Sequence, residues 1–177
     1  MSTYRKLTVV GLLLVLSLVS LAGCSLRSDA GSVNTAAAKI ADFTLPAGYT
    51  PEATAEISGY LFVSYAPGDG HSHIQLIQAP ANAAVDRATL EHYIQQASQN
   101  RGHDPNTRSQ VVDSRQAVIR GQPVTLVVSE ATNSDHQPYR SLTGAFQGKG
   151  GAALLSVEAP VSSWNQAAID QFLASIS

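Results

Sequence analysis

Apolar positions along this chain recur at two spacings, and each switch between them marks a new element. Alternation with period two dominates from residue 43 on and predicts strands. Phe43-Thr44-Leu45 alternates and is broken by Pro46-Ala47-Gly48-Tyr49-Thr50-Pro51, a turn by its Pro and Gly content. The run Ala53–Ala66 is rich in β-branched and aromatic residues and predicts one long or two short strands, with Gly59 placed for a bulge or turn. Pro67-Gly68-Asp69-Gly70 is a hairpin signal. The next strand, His71 to Ala79, sends Ile74, Leu76 and Gln78 one way and Gln75 and Ile77 the other. The period then lengthens: Leu90, Tyr93, Ile94 and Ala97 share one face of a helix from Asp86 to about Asn100, with Asp86 as N-cap and Gly102 suited to its exit. Four alternating runs follow, Gln110–Ile119, Pro123–Ala131, Tyr139–Gln147 and Ala152–Ala159. The turns between them are too short for parallel crossovers, so these strands pair antiparallel. Ser163-Trp164-Asn165-Gln166 fits a capping box for a last helix with Trp164, Ala168, Ile169, Phe172, Leu173 and Ile176 on one stripe. The order β-β-β-α-β-β-β-β-α predicts the α+β class: an antiparallel β-sheet of about six to seven strands packed with two amphipathic helices.

The first two dozen residues follow neither period. Arg5 and Lys6 precede an almost wholly apolar run from Leu7 to Leu21, and Leu21-Ala22-Gly23-Cys24 closes it with the only cysteine of the chain. Basic start, apolar middle and small-residue end describe a secretory leader. The run of 15 residues is shorter than the ~20 that a bilayer core demands. Cysteine directly after Leu-Ala-Gly resembles the lipobox of bacterial lipoproteins. The resemblance implies a diacylglycerol thioether on Cys24, cleavage before it, and anchoring in a membrane by several acyl chains. Ser25, which is not Asp, resembles the residue found in outer-membrane-directed lipoproteins. Residues 25–39 are mostly Ser, Ala, Gly, Asn and Asp and read as a tether; the alternative is a first helix through Thr35-Ala36-Ala37-Ala38-Lys39-Ile40, which has good helix formers but only one large apolar residue. The expected organisation is a signal peptide over 1–23, a flexible tether over 24–40 and a single α+β domain over 41–177.

Of 177 residues, 11 are Lys or Arg and 13 are Asp or Glu. Two of the basic residues lie in the leader, so the chain from Cys24 on carries a formal charge of −4. A mildly acidic chain does not seek nucleic acid by bulk charge. With Cys24 lipidated no thiol is left for a disulfide, and the domain must stand on packing alone.

The opening Phe43-Thr44-Leu45-Pro46-Ala47-Gly48-Tyr49 resembles the start of PsbP-like domains, and the closing helix from Trp164 to Ser177 resembles their last helix. The resemblance covers roughly 41–177. It implies a central antiparallel sheet between helices in a family of assembly or binding modules, and it brings no catalytic residue with it.

Gly70-His71-Ser72-His73 is the stretch best suited to metal chemistry. On a strand, residues i and i+2 project to one side, so His71 and His73 could share a metal ion. Further ligands would come from His92, His103, His136, Asp69 or Asp104. The same histidines also fit a solvated hairpin shoulder. No Gly-x-Ser-x-Gly or Ser-x-x-Lys pattern supports a serine hydrolase. Gly148-Lys149-Gly150-Gly151 lacks the phosphate-loop pattern and reads as a turn. The expectation is a non-enzymatic, lipid-anchored cell-envelope protein facing the periplasm or exterior. It would hold the membrane through Cys24, bind an envelope protein partner, and need no cofactor and no nucleic acid. The alternative is a metal- or small-ligand-binding lipoprotein using His71 and His73.

Overall fold

The computed structural model describes residues 26–99, 109–132 and 136–177. The chain forms α1 (Ala30–Ala38), β1 (Thr50–Ile57), β2 (Tyr60–Ala66), β3 (His73–Gln78) and α2 (Arg87–Gln99). Then come β4 (Gln110–Ile119), β5 (Gln122–Thr132), β6 (Pro138–Gln147), β7 (Ala152–Pro160), a short 3-10 turn (Val161–Ser163) and α3 (Gln166–Ser175). All seven strands belong to one sheet in the order β1-β2-β3-β7-β6-β5-β4, every pair antiparallel. Two meanders, β1-β2-β3 and β4-β5-β6-β7, therefore meet along β3 and β7. The α+β class and the antiparallel sheet stand as the sequence predicts.

Local chemistry fixes most boundaries. Ser58 and Gly59 both take positive φ, 52° and 81°, and split the long run into β1 and β2. Asp86 caps α2, its Oδ1 accepting from the Thr89 N–H at 2.9 Å. The last helix starts differently from expectation. Ser163 ends the 3-10 turn and its hydroxyl turns back to Pro160 O at 3.2 Å. Asn165 caps instead, accepting from the Ala168 N–H at 3.0 Å. Trp164 stands just ahead of the helix, beneath the Arg140 guanidinium at 5.6 Å. Ile169, Phe172, Leu173 and Ile176 are buried as the stripe predicts.

The tether expectation fails between residues 30 and 40. Asp29 caps α1 through the Ser32 N–H at 2.8 Å, and Val33, Ala36, Ala37 and Ile40 are buried in the main core. The helix is built from small residues, which let it lie close on the sheet. It is a third helix, beyond the two predicted. Together α1 and α3 cover the first face of the sheet, where Val63, Tyr65, Ile74, Leu76, Leu126, Leu142, Leu155 and Val157 form one cluster. Phe43 stands edge-on to both Tyr65 and Phe172, at 5.7 and 5.5 Å between ring centres. Burial pushes the Tyr65 phenol up to about 12.

The Gly148-Lys149-Gly150-Gly151 turn locks α1 in place. The Gly150 N–H donates to Gln78 Oε1 at 2.9 Å, and Gln78 Nε2 donates to Lys39 O at 3.4 Å. The Lys149 N–H donates to Ile40 O at 2.8 Å, and Lys149 Nζ reaches Ala38 O at 3.1 Å and Asp42 Oδ2 at 2.6 Å. A Cβ on Gly148 or Gly150 would run into the Gln78 amide, and one on Gly151 into Ala79 O, so glycine is needed for the close approach. Farther on, Asp42 and Ser177 exchange backbone hydrogen bonds at 3.0 and 2.9 Å, joining the exit of α1 to that of α3.

Ile40→Ala is expected to cost about 2–5 kcal/mol, because it empties a fully buried site. In a flexible tether it would cost nothing. Urea unfolding with an unchanged m-value distinguishes the two.

Candidate functional site

The second face of the sheet is divided in two. One half is apolar: Phe62, Ile77, Leu154 and Ala145 lie in register across β2, β3, β7 and β6. Here α2 docks with Leu90 and Ile94, and Tyr93 stacks on Tyr60 at 4.3 Å. The next two rows are polar. Ser64, Gln75, Ser156 and Thr143 are register partners, and so are His73, Glu158, Ser141 and Ser129. Ser64, His73, Gln75 and Ser156 are buried all the same. Polar groups out of water require partners, and part of the band is hydrogen-bonded through Glu52 and Arg87.

A bulge in β1 supplies the central one. The register slips between Pro51 and Ala53, and Glu52 is the extra residue. Its Oε2 accepts from Ser64 Oγ at 2.5 Å and lies 3.4 Å from His73 Nδ1. One carboxylate thus fixes a hydroxyl on β2 and an imidazole on β3. The carboxylate, not the imidazole, takes the serine proton, which is not the nucleophile, base and orienter sequence of a triad. At the border with the apolar half, Arg87 of α2 donates to Thr143 Oγ1 at 2.7 Å and pairs with Glu91 at 2.6 Å. Ser156 Oγ finds no hydrogen-bond partner among the described residues, which leaves a buried hydroxyl available to a water or a polar ligand.

The two histidines singled out by spacing do not share a surface. The strand starts at His73 rather than His71. Asp69 accepts from the His71 and Ser72 N–H groups at 2.8 Å each, and from Ser72 Oγ at 2.7 Å. That turn leaves His71 exposed in the loop while His73 enters the sheet. Burial works to raise the Asp69 carboxyl, but the bonds from His71 and Ser72 outweigh it and hold the group below 3.8. Among the described residues no three His, Cys, Asp or Glu side chains are grouped to hold a metal ion. His92 lies on α2 and His136 precedes β6, whereas His103, Asp104, Gly102 and Cys24 fall outside the described residues. A polar groove of about 550 Å³ opens between α1 and β1, lined among others by Arg27, Asp29, Thr35, Lys39 and Glu56. Sequence reasoning missed Glu52 and the polar rows. Their signal was present as alternating Ser and Gln, which reads as a solvent face when only one side of a sheet is expected to be covered.

No protein-family model matches the chain, and no curated protein matches its sequence. Among solved structures it is similar to the solution structure of cyanobacterial PsbP (CyanoP) from Synechocystis sp. PCC 6803, with a TM-score of 0.52 and 12% identity over 90% of this chain and 95% of that one. The fold is PsbP-like. The PsbP-like sheet carries the polar band on the side opposite α1 and α3. No helix among the described residues is long and apolar enough to cross a membrane.

Glu52→Ala removes the acceptor of two buried donors and is expected to cost roughly 1–3 kcal/mol in urea unfolding. Glu52→Gln keeps an acceptor oxygen and should cost less; equal losses would count against the shared-acceptor geometry. Asp69 gives a pH test. Its carboxyl is depressed on folding, so its contribution is complete above 3.8 and is lost as pH falls through the lower folded value. The stability gap between wild type and Asp69→Asn should be open at neutral pH and narrow as pH falls below 3.8 through the lowered folded value. A gap that persists in acid would contradict the assignment.

Proposed function

We propose that this chain is a lipid-anchored cell-envelope protein whose PsbP-like domain is a non-enzymatic binding or assembly module. The anchor rests on Leu21-Ala22-Gly23-Cys24 behind a basic and apolar leader, with the lone cysteine at the one position where acylation needs it. The observation that carries the binding role is the outer edge of β4. This strand ends the sheet, and its ten residues have no strand partner beyond it among the described residues. Val111 and Val118 are 62% and 64% exposed on it, and Val112, the extra residue of a bulge, is exposed too. Three of the five exposed large hydrophobics among the described residues thus lie on this edge strand. A long apolar edge is a template for strand addition and is normally blunted unless a partner uses it.

Cys24→Ser is expected to abolish acylation, seen as loss of the lipid mass on the amino-terminal peptide and release of the protein from membranes. A photoreactive residue at Val118 should give one discrete protein adduct in native membranes, and one at exposed Gln171 on α3 should not. The binding role fails if both positions give the same background. Turnover of an ester, glycoside or peptide, abolished by a change at Glu52 or His73, would overturn the non-enzymatic reading.

A further inference from the structure

We propose that the β1 edge is the face this domain lays on the membrane surface. The inference rests on the acylation of Cys24 argued above. Arg27 is already part of the fold: its N–H and C=O exchange hydrogen bonds of 2.8 Å with Thr54 on the outer edge of β1. Only Ser25 and Leu26 separate it from the lipidated cysteine. Three residues of extended chain reach at most about 11 Å. The seven-stranded sheet is roughly 29 Å wide from β1 to β4, at about 4.8 Å per strand interval. The domain therefore cannot float above the bilayer, nor can it turn its β4 edge down. What the β1 edge shows to the headgroups suits contact with them. Leu26 is 72% exposed, Ile57 at the end of β1 is 45% exposed, and Arg27 and Lys39 stand at the groove beside them. Apolar side chains at such a surface enter the headgroup boundary, and cations meet lipid phosphate. Asp29 and Glu56 in the same groove balance these charges, so the surface fits a zwitterionic or mixed headgroup layer better than a strongly anionic one.

The test uses the full acylated chain in vesicles of phosphatidylethanolamine and phosphatidylglycerol. Acylation leaves no native thiol, so Ile57→Cys and Val118→Cys each carry one fluorescent label. The label at 57 should emit at shorter wavelength and be quenched severalfold more by a lipid-borne quencher than the label at 118. A flexible Gly-Ser spacer of about 20 residues after Ser25, spanning roughly 25 Å, should bring the two signals together. Equal quenching at both positions without the spacer, stronger quenching at 118, or a difference that survives the spacer overturns the proposal. Mass analysis of the same preparation separates this from failure of the anchor: an unmodified Cys24 removes the premise, whereas an acylated Cys24 with equal quenching removes only the orientation.

Discussion

The structure depends on β3 and β7 being buried on both faces. All six residues of β3 are buried, and six of the nine in β7. Among the described residues these two strands make the only strand pairing between the two meanders, so the sheet is continuous through them. A strand buried on both sides needs two covers, and the chain supplies them from different places. The first face takes α1 and α3; the second takes α2, carried there by the connection from β3 to the far edge of the sheet. Polar residues on such strands must then be satisfied inside the protein. Gln78 on the first face does this by joining the glycine turn to the end of α1. His73 and Gln75 on the second face belong to the polar band.

Cover and junction reinforce each other. The turn between β6 and β7 grips α1 through Gln78 and Lys149, while Asp42 and Ser177 tie the exits of α1 and α3 together. Arg140, paired in register with Glu130 across β6 and β5, lays its guanidinium over the Trp164 ring that leads into α3. A helix of nine small and polar residues has little intrinsic stability in water. Its order comes from this set of contacts, not from propensity.

That is why the sequence favoured a tether over a first helix through Thr35–Ile40. Ala-Gly-Ser-Val-Asn-Thr-Ala-Ala-Ala has the composition of a linker, and the close seat that makes Ala36 and Ala37 useful belongs to the sheet surface rather than to the helix. The strands were legible almost to the residue from β4 to β7, because alternation and turn residues agree there and no tertiary effect overrides them. The spacing argument for His71 and His73 presumed an extended backbone from His71, whereas the strand begins at His73. Asp69 bends the chain until Ser72, and the two side chains part. The cap of α3 slipped by two residues because the 3-10 turn claims Ser163 first. The site was the least legible part. Glu52 acts through a bulge, and nothing local announces which residue will be extra.

The two edges of the sheet are treated in opposite ways, and this bears on how the domain works. Both edge strands carry a bulge, but β1 begins Thr50-Pro51 and has Arg27 bonded to its outer side, so it is the poorer template for another strand. β4 carries three exposed valines, of which Val111 and Val118 stand on the second face, and on the first face one ion pair, Arg115 to Asp170 at 2.7 Å, toward α3. The β4 edge is thus the one left open to strand addition among the described residues. A short tether to a lipid at the closed edge would set the open edge on the far side of the sheet, roughly 29 Å along it and away from the headgroups. A partner strand could then approach from the aqueous side without competing with the bilayer. Pairing errors between copies would be limited as well, since two β4 edges held at one height meet only when their domains face each other. On this argument the order of strands, set by the β3–β7 junction, is what would keep an anchoring edge apart from a binding edge.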